Sequence, residues 1–98
     1  MAQYTASKFG VVGFTQALAH RLASHSILVN AVCLGIVDTP MIHALADTAG
    51  IAVTEHVDDQ LIKEPQIPEQ IAYAQAYIHT SCAMTGQAIN INGGTLLH

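Results

Sequence analysis

Residues 27–33 form a nearly unbroken apolar run, rich in β-branched side chains, that follows a Ser24-His25-Ser26 break. A short run without polar alternation fits a strand buried on both faces, the strand type of a parallel sheet. Parallel strands need a long crossover between them, normally a helical one. The second strand signal lies far downstream at residues 87–92, where Ile89 and Ile91 alternate with Asn90 and Asn92. Thr85-Gly86 turns the chain into it and Gly93-Gly94 ends it. Two strands are too few for an independently stable sheet. The pattern therefore predicts an α/β fold whose sheet is incomplete in this chain.

The remaining segments read as helices around that sheet. Residues 2–24 lack proline and repeat apolar side chains at helical spacing, with Val11, Leu18 and Leu22 on one stripe and Phe14 beside it. Ala6, Gly10, Gly13 and Ala17 recur at spacings of four, three and four, a smooth stripe against which a second helix can pack closely. The alternative is that the glycines only mark a weak helix, each costing about 1 kcal/mol relative to Ala. Asp38-Thr39-Pro40 carries helix-start chemistry, a capping side chain before a first-turn proline, and predicts a short helix over 41–47. Irregular acidic sequence follows, then Ile67-Pro68-Glu69 opens a helix whose stripe Ile71, Ala74 and Ile78 runs to about residue 80.

Charge excludes several classes of partner. Only 10% of the 98 residues are charged, against roughly 25% in an ordinary globular domain. Lys8, Arg21 and Lys63 are the only cations and are far apart in sequence, which argues against a nucleic-acid or anionic-membrane partner. All seven acids fall between residues 38 and 69, so that stretch reads as a solvated face. No signal-peptide pattern opens the chain, and polar residues interrupt its uncharged tail. The expectation is a cytoplasmic protein with Cys33 and Cys82 reduced. Six scattered histidines with no His-x-x-x-His pair give no metal site.

Tyr4 and Lys8 stand four apart on the first helix and so share a face. A free phenol ionises near pH 10, and an adjacent ammonium favours the phenolate. A phenol tuned in this way can exchange a proton with a carbonyl or alcohol oxygen. By itself the pair is equally compatible with an ordinary surface Tyr and Lys.

Taken with their flanks, these residues resemble the short-chain dehydrogenase/reductase superfamily. The matching segments are Tyr4-Thr-Ala-Ser-Lys8, Gly10-Val-Val-Gly13-Phe14-Thr15, Val29-Asn30-Ala31-Val32, Gly35, Thr39-Pro40-Met41, Thr85-Gly86-Gln87 and Gly93-Gly94, in order over essentially the whole chain. The resemblance implies the C-terminal part of a Rossmann-like, doubly wound parallel sheet, with residues 1–98 as one catalytic and substrate-binding part. It implies that Tyr4 is the acid/base and that Lys8 lowers the tyrosine pKa and binds the nicotinamide ribose. Gly35, Ile36, Val37 and Thr39 match the loop that holds the nicotinamide carboxamide of NAD or NADP. That loop lies at the carboxyl end of a parallel strand, where ligands bind in open α/β sheets. Residues 40–66 match the substrate-covering region. The first helix matches a frequent subunit interface, implying a homo-oligomer.

The departures are specific. This sequence has no glycine-rich pyrophosphate turn, and it has no counterpart of the family's carbonyl-polarising Ser or relay Asn. Leu34 stands where Pro is usual, and Asn92 where Asp is common. Ser7 faces away from Tyr4 on the helix and is a poor substitute for the missing Ser. Cys33 is expected to be a buried structural thiol, His43 a solvated loop residue, and Tyr73 with Tyr77 a pair packed against the sheet or a subunit. The expected function is NAD(P)-dependent interconversion of an alcohol and a ketone, with no turnover by these 98 residues unaided. The alternative is a non-catalytic truncated homologue that docks onto longer relatives.

Overall fold

With no proline before residue 40, the chain stays helical from Ala2 to Leu22 (α1) in the computed structural model, which describes residues 2–35, 37–49 and 60–94. One 3-10 turn, Ala23–His25, then ends at Ser26, whose left-handed backbone (φ 58°) lets its N–H donate to the Ala23 carbonyl at 3.0 Å. Strand β1 spans Ala31–Leu34, helix α2 Pro40–Ala49, helix α3 Pro68–Thr80 and strand β2 Ala88–Ile91. The two strands pair in parallel, from Ala31 opposite Ala88 to Leu34 opposite Ile91. The Ala31 N–H bonds the Gln87 carbonyl at 2.9 Å and the Gly35 N–H bonds the Ile91 carbonyl at 3.1 Å, extending the ladder at both ends.

β1 begins four residues later than the apolar run beginning at 27 predicts. Opposite residues 27–30 the partner segment is still turning, with Gly86 at φ 70°, and a turning backbone cannot offer a regular ladder. Turn bonds replace it: the Gly86 N–H donates to the Val29 carbonyl at 2.7 Å and the Val29 N–H to the Thr85 hydroxyl at 3.0 Å. Asn30 clamps the same turn, its Nδ2 donating to the Met84 carbonyl (2.9 Å) and its Oδ1 accepting the Gln87 N–H (3.1 Å). The expectation of burial on both faces is also corrected. Three residues of β1 are half-buried and Leu34 is exposed, because a sheet of two strands offers its helices too little area to cover both faces.

α1 buries Thr15 and Ala19, which mark the face it turns inward. The Thr15 hydroxyl satisfies itself by donating to the Val11 carbonyl at 2.7 Å. The predicted stripe is thus rotated: Leu18 and Leu22 are half-buried, whereas Val11 and Phe14 are exposed. Ala6, Gly10, Gly13 and Ala17 also lie exposed, and a Cβ built on either glycine meets no described atom within 4 Å. The packed helix pair read from that stripe is not formed among the described residues.

α3 follows the sequence closely. Pro68 occupies its first turn, and the Ile67 N–H donates to the Gln70 side-chain oxygen at 2.8 Å. Ile71 is buried and Ala74 and Ile78 half-buried, the predicted stripe. Tyr73 and Tyr77, expected against the sheet or a subunit, are 73% and 65% exposed, so within this chain they do not pack on the sheet. The irregular acidic stretch lies largely outside the described residues, Glu55, Asp58 and Asp59 among them.

Ala relieves the helix-interior cost of Gly where nothing crowds the new methyl. Gly10→Ala is expected to raise the stability of the isolated chain by up to about 1 kcal/mol in urea denaturation; a loss would mean that this face of α1 is covered in solution.

Candidate active site

Tyr4 lies in the first turns of α1 and is 58% exposed. Lys8, one turn on, sets its Nζ over the Tyr4 ring, 5.2 Å from the centroid. This is cation–π geometry, worth about 0.5–1 kcal/mol at an exposed site, and it keeps the ammonium beside the phenol. The Ser7 hydroxyl donates to the Tyr4 backbone carbonyl at 2.7 Å, so it is tied to the helix and not turned to the ring.

Gly35 leaves the carboxyl end of β1. Its N–H reaches the Ile91 carbonyl and, at 3.3 Å, the Gln66 side-chain oxygen. A Cβ there would lie 2.7 Å from Gln60 Oε1 and 2.8 Å from both the Cα and the carbonyl oxygen of Asn92. Two backbones therefore meet where no side chain fits, the close approach that only glycine permits. Val37 forms a parallel bridge with Gln66, and the Asp38 N–H donates to the Gln66 carbonyl at 2.6 Å. Thr39 caps α2: its Oγ1 accepts the Ile42 N–H at 3.4 Å, which leaves the hydroxyl hydrogen free to donate elsewhere. Ile36 lies outside the described residues.

Asn92, Gly93 and Gly94 leave β2 at the same end of the sheet. Both glycines take left-handed backbone (φ 63° and 84°), and the Gly94 N–H donates to Asn92 Oδ1 at 3.0 Å. The Gly93 carbonyl accepts the Ile62 N–H at 2.8 Å. Gln60, 1% exposed, fills the space between Gly35 and Gly93 and donates through Nε2 to the carbonyls of Ile62 and Glu64. A cavity lined by Gln66, Gln70, Asn90, Asn92 and Gly93 opens beside this cluster.

The structure thus brings Tyr4 to Lys8, and it brings Gly35 and Val37 to Gln66, with Thr39 next in the chain at the start of α2. No hydrogen bond, ion pair or ring contact joins the two groups among the described residues. Sequence reasoning missed Gln60 and Gln66, and it included Asn30 only within the Val29-Asn30-Ala31-Val32 match, with no role. No motif marks the two glutamines; the one available signal is a polar side chain in a proline-flanked run, Pro65-Gln66-Ile67-Pro68, just before a helix. His43 belongs to α2 rather than to a loop, and its Nε2 lies 2.6 Å from Asp38 Oδ1, both side chains about half exposed. Cys33 is half-buried on β1 and Cys82 exposed, both free thiols. Among the described residues no three His, Cys, Asp or Glu side chains gather as a metal site, and no helix is long and apolar enough to cross a membrane.

Three comparisons bear on this arrangement. A family model described as "Enoyl-(Acyl carrier protein) reductase" matches residues 1–96. The chain is 40% identical over 103 residues to a monensin polyketide synthase putative ketoacyl reductase of Streptomyces virginiae, covering 95% of this chain and 40% of that protein. It is 35% identical over 98 residues to the 3-oxoacyl-(acyl-carrier-protein) reductase FabG of Rickettsia prowazekii (strain Madrid E), covering 98% and 39%. The crystal structure of a short chain dehydrogenase family protein from Francisella tularensis subsp. tularensis SCHU S4 superposes with a TM-score of 0.82 at 32% identity, over 94% of this chain and 42% of that one. The chain spans about two fifths of the length of each of these relatives.

Substitutions at two positions probe the loop without reference to any ligand. Gly35→Ala is expected to cost about 1–3 kcal/mol in chemical denaturation, since the Asn92 backbone cannot move aside. Thr39→Val, which keeps the shape and removes the cap, costs about 1 kcal/mol and lowers helical ellipticity, whereas Thr39→Ser holds both.

Proposed function

The chain belongs to the short-chain dehydrogenase/reductase superfamily, and from that premise we propose that it supplies the proton-transfer and nicotinamide-holding part of an NAD(P)-dependent oxidoreductase that interconverts an alcohol and a ketone. The observation that carries this reading is the Lys8 ammonium held over the exposed Tyr4 ring. In the reducing direction the carbonyl carbon gains a hydride, the chemistry the bound dinucleotide supplies. The carbonyl oxygen takes the Tyr4 phenolic proton, and the Lys8 ammonium offsets the phenolate charge that remains.

The donors present fit the nicotinamide end of such a cofactor. Lys8 offers ammonium hydrogens toward ribose hydroxyls, and Thr39 retains a hydroxyl hydrogen for the carboxamide oxygen after capping α2. Gly35, Ile36, Val37 and Thr39 form the holding loop. α1 touches β1 and joins it through the short reversal at 23–30, where the Ile27 N–H meets the Leu22 carbonyl. A return of this kind supports the reading that the Tyr4 end of α1 and the exit of Gly35 serve one site. Pyrophosphate binding and carbonyl polarisation need residues other than these 98, so the isolated chain has no turnover. The names of two relatives make the ketone of a 3-oxoacyl group the first substrate to test. The exposed face of α1, with Phe9, Gly10, Gly13 and Phe14 open, supports homo-oligomer formation through that helix. It equally favours the second reading, a docking module for longer relatives.

A graft separates the two readings. The chain is substituted for the corresponding segment of a 3-oxoacyl-(acyl-carrier-protein) reductase, and ketone reduction is followed by NADH or NADPH consumption. Activity is expected in the graft and not in the chain alone, with Tyr4→Phe lowering kcat about 10²–10⁴-fold. An active graft indifferent to Tyr4→Phe contradicts the mechanism. An inactive but folded graft that still associates with the parent reductase favours the docking module.

A further inference from the structure

The loop at residues 35–39 is held from one position. Gln66 accepts the Gly35 N–H through its side-chain oxygen, accepts the Asp38 N–H through its backbone carbonyl, and bridges Val37. Gln66 therefore meets both ends of the loop, sharing the Gly35 N–H with the Ile91 carbonyl, and is itself fixed between Pro65 and the first turn of α3. We propose that Gln66 is the positioning residue of the 35–39 loop, setting where that loop lies relative to the carboxyl ends of both strands; its bearing on cofactor rests on the reading that this loop holds the nicotinamide.

The side chain carries a physical contradiction that points the same way. Gln66 is only 7% exposed, and its Nε2 is buried with no hydrogen-bond partner among the described residues. An unsatisfied buried donor is destabilising, so an apolar residue of equal length would serve packing better. What that residue would lack is the second acceptor for Gly35, beside the Ile91 carbonyl. The amide sits where Gly93 leaves β2, 3.2 Å from the point a Cβ on Gly93 would occupy. It thus wedges between the two strand exits and ties one of them to the segment before α3.

Amide hydrogen exchange, read residue by residue by NMR on the 98-residue chain, tests this. Gln66→Met keeps the volume and removes the acceptor. The Gly35 amide, left with the Ile91 carbonyl alone, is expected to exchange about fivefold faster. The Asp38 amide is expected to follow, because the side chain no longer fixes the Gln66 backbone carbonyl that it bonds. The Ala31 and Gly86 amides, which bond across the strands to Gln87 and Val29, keep the parent rates. Unchanged exchange at Gly35 and Asp38 overturns the proposal, as does equal acceleration at all four amides, the signature of a residue that merely supports the fold. The measurement needs no cofactor, so an inert graft would leave this result standing, and a negative result here would leave the role of Tyr4 standing.

Discussion

Ala31–Leu34 and Ala88–Ile91 can lie side by side in parallel only if the chain crosses from the end of the first strand back to the start of the second. That requirement sends residues 35–39 out at the carboxyl end of β1, beside the point where Asn92 and Gly93 leave β2. The two exits are so close that Gly35 has no room for a Cβ against the Asn92 backbone. Polar side chains fill the gap: Gln66 adds an acceptor to the Gly35 N–H, and Gln60 donates to the Ile62 and Glu64 carbonyls of its own loop. The loop geometry follows from the strand pairing, and α2 begins where that loop ends, capped by Thr39.

The same pairing explains what is exposed. A ladder of four residues on each strand gives α1 and α3 little surface to cover, and the buried apolar residues of the described structure are only Ala19, Ala46 and Ile71. Phe9, Phe14, Tyr73 and Tyr77 lie on the outer faces. The shortage of charge follows the same division: residues 70–98 carry none, although much of α3 faces outward. Side chains suited to burial stand on faces that this chain alone does not bury.

Helix boundaries were legible wherever chemistry punctuates the sequence. Ile67-Pro68 starts α3, Thr39-Pro40 starts α2, and Gly93-Gly94 ends β2 with two left-handed residues. The parallel pairing was legible from the distance between two apolar runs. The start of β1 was not, because it depends on a turn at Gly86 that lies far away in sequence. The inward face of α1 was misjudged for a related reason: hydrophobicity favours Val11 and Phe14, whereas the helix buries Thr15 and Ala19, with Ala19 turned toward the distant Gly86 turn. In the candidate site, the Tyr4–Lys8 spacing and the glycine at 35 were readable as local patterns. Gln60 and Gln66 were not, since they act through backbone groups brought near only by the crossover.

The central claim is that the Tyr4–Lys8 face and the loop at residues 35–39 border one nicotinamide site, though they lie on separate elements of the fold. Titration of the isotopically labelled chain with reduced nicotinamide mononucleotide, which carries the nicotinamide end without the adenylate, addresses this directly. The account predicts that signals of Tyr4, Lys8, Gly35, Val37 and Thr39 shift together along one binding curve, and that adenosine monophosphate leaves them unmoved. Shifts confined to one of the two groups, separate curves for each, or an equal response to the adenylate half would contradict it.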